Sequence, residues 1–545
     1  MVRFFKKHWL IVLIVLVAGF LRFFGLTQRG LVVSDACFYG NLAKTPIYAL
    51  DFFQNGGSIS NMNGLLEYLK GNGCVFNSEK PAHTFLIFIS FLVFGIKDWA
   101  VLLVSALCGV ISVLMVYLIA VRFFTKEVGI IAATLLAFSG LMVAFSRTGY
   151  PQMGTMLMVA TVLYFYFSYN RDRQRKHLYL AAISTGIALL FHPTFVIVLF
   201  PIVVHFFFDY IGNGKKRPAP LAIMASVLLI AFPILLEEGV SALANMLSNE
   251  YEISGVILQF FHTSDKLAVS NQSADFLSGL RFFFEMIRMT DGQFWTLFFV
   301  WALLFGTFKG VREKNSYICI LAGQVILSLA LWSWKYPTVK VLPVCYPALS
   351  LLAGYSVWEM FSKSGFKKAG VVVSMALIVV SVNYAYLKSQ LTLAPSFRQA
   401  IRMTKEIVER DGGVFCATDQ GALKPILNFY MPQIKKGRFG IEFKGSKSET
   451  VSYEMLGFGR MVTEHDYSES LFENCQIVLE LRNYDHLIPV TNFHRLKNEG
   501  LEYIKANFNE RWLNLYLFRK CDNQMKDVGI RNLLEGRSLE RYYFK

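Results

Sequence analysis

The chain has 545 residues, of which 54% are hydrophobic, 15% aromatic and only 17% charged, with a mean hydropathy of +0.43. Those proportions exclude an ordinary soluble globular protein and point to many segments in lipid. The net charge of +16 and pI near 9.3 require no nucleic-acid partner, because the basic residues gather in short turns between apolar runs.

A hydrocarbon core about 30 Å thick needs roughly 20 apolar residues per helix. The apolar runs predict a polytopic α-helical membrane protein with about 11 spans, near 9–26, 98–121, 128–145, 153–169, 178–191, 194–210, 221–236, 294–308, 317–333, 341–361 and 369–387. The first reads as a retained signal anchor, since no small-x-small cleavage site comes after it. The run 82–95 is too short to span and begins after Pro81, which predicts an interfacial or half-inserted helix.

With the N-terminus inside, the inner turns carry Arg3, Lys6 and Lys7; Arg122 and Lys126; Arg171, Arg173, Arg175 and Lys176; Lys215, Lys216 and Arg217; Lys309, Arg312 and Lys314; and Lys363, Lys367 and Lys368. That is the positive-inside pattern. Residues 1–387 form the membrane domain, and the outer face receives the loop 27–97, the turn 146–152, the loop 237–293, the turn 334–340 and everything after about 388.

From residue 388 to 545 charges become dense and no run is long enough to span, so this segment is expected to be a soluble extracytoplasmic α/β domain. Residues 413–417 and 476–480 predict buried strands, and 397–410 and 423–430 predict helices. The eight cysteines show no CxxC and no zinc spacing. Cys74, Cys416, Cys475 and Cys521 face outside, where disulfides are permitted, but spacing selects no pairing.

The outer face collects the residues that carry chemistry: Ser34 and Asp35 after the first span, Glu79, Lys80 and His83 at the interfacial helix, Arg147 and Tyr150 in the next turn, His192 between two spans, and Lys335, Tyr336 and Lys340 late in the chain. Ionisable groups near membrane depth are costly and usually functional, and together these would make an anion-binding cleft lined with aromatics. Several also have a bland reading: Ser34 or Asp35 as a helix cap, Lys80 and Lys340 as snorkelling lysines, His83 and His192 as satisfied helix-end residues.

Several ordered motifs carry a resemblance. Leu21-Arg22-Phe23-Phe24-Gly25-Leu26 precedes Ser34-Asp35, then Glu79-Lys80-Pro81, Phe94-Gly95, Arg122-Phe123-Phe124, Ser146-Arg147-Thr148-Gly149-Tyr150 and Leu342-Pro343-Val344-Cys345-Tyr346-Pro347-Ala348-Leu349. Across residues 9–387 this set resembles the GT-C superfamily of polyprenyl-phosphate-sugar glycosyltransferases, especially the protein O-mannosyltransferases and the lipid A aminoarabinose transferases. The resemblance implies that Asp35 is the catalytic acidic residue, that Lys80, Lys340 and Arg147 meet the donor phosphate, and that Glu79 lies beside it and can touch a metal. His83, Tyr150, His192, Lys335 and Tyr336 would line the cleft.

One position departs from the pattern. Gln152 stands near where many relatives carry a carboxylate, and a neutral amide is a poor divalent-cation ligand. No cofactor is expected to be required, with Glu79 left as the candidate ligand for a divalent metal.

The expected function is sugar transfer from a polyprenyl-phosphate donor to an extracytoplasmic acceptor (protein, glycolipid or cell-envelope glycan), with inversion at the anomeric carbon. The expected location is the inner (plasma) membrane. The alternatives are a transporter or flippase of a lipid-linked sugar, which would favour repeat symmetry and midplane charges, and an O-antigen ligase-like enzyme.

Overall fold

The computed structural model describes residues 2–31, 34–58, 60–75, 80–192, 195–213, 276–335 and 339–362, and beyond them Arg398, 428–430 and ten strand segments. In chain order the helices are α1 Val2–Phe23, α2 Leu26–Arg29, α3 Ser34–Gln54, α4 Met62–Gly71, α5 Pro81–Phe94, α6 Asp98–Phe123, α7 Lys126–Phe138, α8 Gly140–Ser146, α9 Gln152–Asp172, α10 Arg175–Phe191, α11 Val196–Asn213, α12 Phe276–Asp291, α13 Gln293–Arg312, α14 Ser316–Lys335 and α15 Leu342–Phe361. A 3₁₀ turn, Val339–Val341, leads into α15.

Among the described residues, four helices have the length and apolarity to cross a membrane: Trp9–Gln28, Asp98–Phe123, Phe294–Arg312 and Ser316–Ser333. The expected spans at 153–169, 178–191, 194–210 and 341–361 fall on helices as well, of which α10 is shorter and α9 and α15 are more polar than these four. For α15 the reason is its position. Every side chain from Leu342 to Trp358 is buried against α7, α9, α13 and α14, so the helix meets protein where a peripheral span meets lipid and needs less apolar surface. The expected spans 221–236 and 369–387 lie outside the described residues.

The expected span 128–145 is corrected to two helices, α7 and α8, bent by 61° at Ser139. Inside a low-dielectric bundle such a break exposes carbonyls at one helix end and N–H groups at the next, and all need partners. They find them in side chains from distant parts of the sequence. Arg22 of α1, fully buried, donates to Leu136 O (3.2 Å) and Ala137 O (3.1 Å), the last turn of α7. Asp291, at the end of α12, accepts from the N–H groups of Gly140 and Leu141 and from Ser139 Oγ (2.9 Å). Tyr346 of α15 also donates to it, at 2.6 Å.

The return contact comes from Arg147, directly after α8. Its Nη1 donates to Leu21 O (3.1 Å), Arg22 O (3.2 Å) and Phe24 O (2.8 Å), capping the C-terminal end of α1. Arg22 of α1 therefore caps α7, and Arg147 at the end of α8 caps α1, a cation at each C-terminus where the helix dipole favours it. Gly109 of α6 leaves room for the exchange, since a Cβ there would lie 2.3 Å from Ser146 Oγ and 2.9 Å from Arg22 Nε.

In the C-terminal segment, β1 Phe415–Ala417, β2 Ile441–Phe443, β3 Ser448–Met455, β4 Phe458–His465, β5 Ile477–Leu481, β6 Asn492–Lys497, β7 Gly500–Lys505, β8 Leu515–Cys521, β9 Gln524–Val528 and β10 Arg541–Tyr543 succeed one another. Six form a mixed sheet in the order β10-β9-β8-β5-β1-β2, while β3–β4 and β6–β7 are hairpins. The strands expected at 413–417 and 476–480 appear as β1 and β5, neighbouring and parallel. The pair β1–β2 is parallel as well, and parallel neighbours require a crossover connection between them. Apart from Arg398 and 428–430, which are helical, the helices expected at 397–410 and 423–430 lie outside the described residues.

Replacing Arg22 with Met keeps an apolar stem and leaves the Leu136 and Ala137 carbonyls buried without their donor. Unfolding in detergent should be easier by about 1–3 kcal/mol. A variant as stable as the native protein would show that the break does not depend on this cap.

Candidate active site

The site forms where α1, α3, α5, the 147–150 turn, the end of α10 and the start of α15 meet. Asp35 stands in the first turn of α3. Lys340, in the 3₁₀ turn before α15, places its Nζ 2.7 Å from Asp35 Oδ2, although 305 residues separate them. Both side chains keep 39% exposure, so the pair is only partly covered. The Lys340 ammonium also lies 4.8 Å from the centre of the Tyr150 ring. Burial works against the Lys340 charge, but Tyr150, Asp35 and Tyr39 more than offset it and hold the amine well above its ordinary range.

His83, one turn into α5, is 1% exposed, sits edge-on to the Tyr39 ring (5.4 Å) and bonds through Nε2 to Gly149 O at 2.9 Å. Gly149 has φ +78°, a conformation that suits glycine and turns its carbonyl to the histidine. Burial lowers the His83 pKa to about 4, the Gly149 contact opposing and the Lys80 charge assisting. Lys80 caps α5 with φ +54°, an uncommon conformation for a lysine and more so before proline. Such backbone strain costs about 1–3 kcal/mol and concentrates at functional sites.

His192 comes directly after α10, in extended conformation. Burial, then the charges of Lys80 and Lys340, drive its pKa well below the ordinary value, so it is neutral and lies within the field of both lysines. Asp35, Tyr39, Lys80, Tyr150, His192 and Lys340 thus form one group linked by contact or by charge. All but Tyr39 are residues that the sequence marks.

Other expected residues are placed differently. The resemblance implies that Arg147 meets the donor phosphate, but its side chain is fully buried, with Nη1 on the end of α1. His83 is likewise buried behind the site and not on its surface. Gln152, 2% exposed, begins α9. Lys335 is the last residue of α14, while Glu79 and Tyr336 lie outside the described residues.

Sequence reasoning missed Tyr39, whose signal is its spacing one turn after Asp35, and Asp291, an acid beside an apolar span. Among the described residues no group of three or more His, Cys, Asp or Glu side chains could hold a metal ion. Lys340 puts its positive charge directly on the Asp35 carboxylate.

Comparison with known proteins gives a family match over part of the chain and likenesses of fold. Residues 78–236 match the family described as dolichyl-phosphate-mannose-protein mannosyltransferase. An uncharacterized protein of Aquifex aeolicus (strain VF5) is 22% identical over 465 residues, covering 83% of this chain and 85% of its own. Among solved structures, ArnT from Cupriavidus metallidurans bound to undecaprenyl phosphate has a TM-score of 0.57 at 15% identity, covering 91% of this chain and 97% of its own. The oligosaccharyltransferase of Archaeoglobus fulgidus, tethered to an acceptor peptide containing the NVT sequon, has a TM-score of 0.54 at 13% identity, with 92% and 75% covered.

The buried His83 makes stability depend on pH. It binds a proton more readily unfolded, at its ordinary 6.5, than folded, at about 4. Its contribution is complete above about pH 6.5 and is lost as pH falls towards 4. His83→Gln should flatten that part of a stability-against-pH curve measured in detergent, and an unchanged slope would mean that another group carries it. The helical bundle, its apolar membrane-crossing helices and its fold-level likeness to the solved structures identify the chain as a polytopic helical membrane protein, within which residues 78–236 match the mannosyltransferase family.

Proposed function

We propose that this protein is a membrane glycosyltransferase that moves a sugar from a polyprenyl-phosphate donor to an acceptor outside the cytoplasm. The observation that carries the reading is the contact of Lys340 with Asp35, beside Lys80, Tyr150 and His192. An ammonium has three N–H donors, so Lys340 can hold the Asp35 carboxylate and a phosphate oxygen together. The molecule bound to ArnT, undecaprenyl phosphate, corresponds to the leaving group of such a donor and fits an anion site of this kind.

In the proposed reaction, Asp35 accepts the proton of an acceptor hydroxyl or amine as that group attacks the anomeric carbon. The bond from that carbon to the phosphate oxygen breaks, and its electron pair leaves with the polyprenyl phosphate. Lys340 and Lys80 stabilise the charge that develops there. Attack opposite the leaving phosphate inverts the anomeric centre. Protein, glycolipid and cell-envelope glycan are all acceptors compatible with this chemistry.

The site is proposed to face outward from the inner membrane, with the N-terminus in the cytoplasm and residues 388–545 as an outer α/β domain. Supporting this orientation, α6 and α9 run from the site to a basic end, where Arg122 pairs with Asp172 and Arg173 with Asp209. Positive charge at that end is the cytoplasmic signature.

Asp35→Asn keeps shape and capping capacity while removing the base. Mass spectrometry of envelope glycans, lipids and glycoproteins should reveal a sugar modification that the native gene restores to a deletion strain. The variant should restore it at least about a hundredfold less efficiently at equal expression. Full restoration would remove Asp35 from the chemistry.

Transfer is further proposed not to depend strictly on a divalent metal. Gln152 supplies no carboxylate, and Lys340 already meets Asp35 with positive charge. Purified protein should keep its activity after exhaustive EDTA treatment, whereas complete loss with recovery on added Mg²⁺ or Mn²⁺ would establish a metal site.

A further inference from the structure

The C-terminal segment reaches back to the helix that bears Asp35. Tyr430 Oη accepts from the Leu31 N–H (3.1 Å) and donates to Asp98 Oδ2 (3.0 Å). Leu31 is fully buried and lies four residues before Asp35. Arg398 binds the same Asp98 carboxylate through Nε and Nη2, and donates to Thr27 O at 3.1 Å. The connection between α1 and α3 is therefore tied at Thr27 and at Leu31, in both cases to residues beyond 397.

The neighbouring residues hold α3 itself. The Phe429 ring lies against Gly40, where an added Cβ would come within 2.6 Å of it. Asn428 O accepts from Lys44 Nζ at 3.1 Å, and Lys44, only 1% exposed, lies 4.9 Å from the Phe429 ring centre. Asn428 O also approaches Gly73 so closely that a Cβ there would be 2.0 Å away. Two glycines and a buried lysine thus receive two consecutive residues, Asn428 and Phe429.

At 100° per residue, Gly40 and Lys44 lie roughly 140° to 180° around α3 from Asp35. The segment grips the back of the helix while Asp35 faces Lys340. From this geometry we infer that Asn428–Tyr430 and Arg398 form a latch that positions Asp35, making the C-terminal segment part of the working site. The inference rests on the proposed role of Asp35, because positioning matters only if that carboxylate acts. Misplacing a reacting group by about 1 Å can cost about a hundredfold in rate. Tyr430 is accordingly a positioning residue and touches no substrate.

The test uses Tyr430→Phe in the full-length protein, with three readouts. Amide hydrogen exchange of the segment 27–33 should rise by about tenfold, since the Leu31 N–H loses its acceptor. Binding of undecaprenyl phosphate should stay within roughly twofold, because the proposed phosphate contacts are Lys340 and Lys80. The sugar modification restored to deletion cells should fall by at least about tenfold. Asp98→Asn, which weakens the same network from the other side, should reproduce all three results and serves if Tyr430→Phe does not fold.

Unchanged exchange at 27–33 would overturn the latch. Raised exchange with full restoration of the modification would reduce it to a structural contact, and lost undecaprenyl phosphate binding would show a general collapse of the site. Full restoration by Asp35→Asn would instead defeat the catalytic reading while leaving the exchange result intact.

Discussion

Backbone groups inside a membrane protein have no water to bond, so a chain that breaks a helix there must bring its own partners. At Ser139 those partners are Arg22 for the carbonyls before the break and Asp291 for the N–H groups after it. Arg147 then caps the helix that carries Arg22. Hydrogen bonds to charged groups contribute about 1.5–3 kcal/mol each, and leaving a buried charge unpaired costs more. The exchange therefore sets where α1 ends and where the 147–150 turn begins. Tyr150 lies in that turn, and Asp35 comes after α1 and the short helix α2.

From the end of α8 through that turn the residues divide the work. Ser146 accepts from Arg22, Arg147 caps α1, Gly149 presents its carbonyl to His83, and Tyr150 puts its ring beside Lys340. The backbone of Tyr150 is held in turn by Ser105 Oγ at 2.8 Å. Cationic charge is thus concentrated on the side where Lys80 and Lys340 face the cleft, while both histidines remain neutral. A cleft with fixed ammonium groups and no competing histidine charge is suited to an anion whose charge grows as it leaves.

Tyr346 connects this site to the helix break. It sits one turn into α15, just after Lys340, and donates to Asp291. The same carboxylate that caps α8 therefore anchors α15, so the position of Lys340 and the bend at Ser139 are coupled through one buried acid. From the opposite side, Asp98 ties the start of α6 to Arg398 and Tyr430. Two buried carboxylates, each meeting the N-terminal end of a helix, secure the two faces of the cleft.

The amino-acid sequence by itself determined the class of the molecule, because membrane insertion is written in local composition: apolar runs, basic turns and a change of charge density near residue 388 are readable without contacts. It also marked Asp35, Lys80, Tyr150, His192 and Lys340, since ionisable or amphipathic residues at the ends of apolar runs stand out against them. Tertiary structure alone decided their relations. Arg147 and Lys340 are both basic residues in turns between apolar runs, yet one caps a helix and the other meets Asp35, a difference set by which carbonyls and carboxylates lie nearby in space. The bend at Ser139 was equally hidden, because residues 128–145 are as apolar as a continuous span and the partners that make a break tolerable lie over a hundred residues away. Local pattern records what a segment can bury; only the folded chain determines which distant polar group satisfies it.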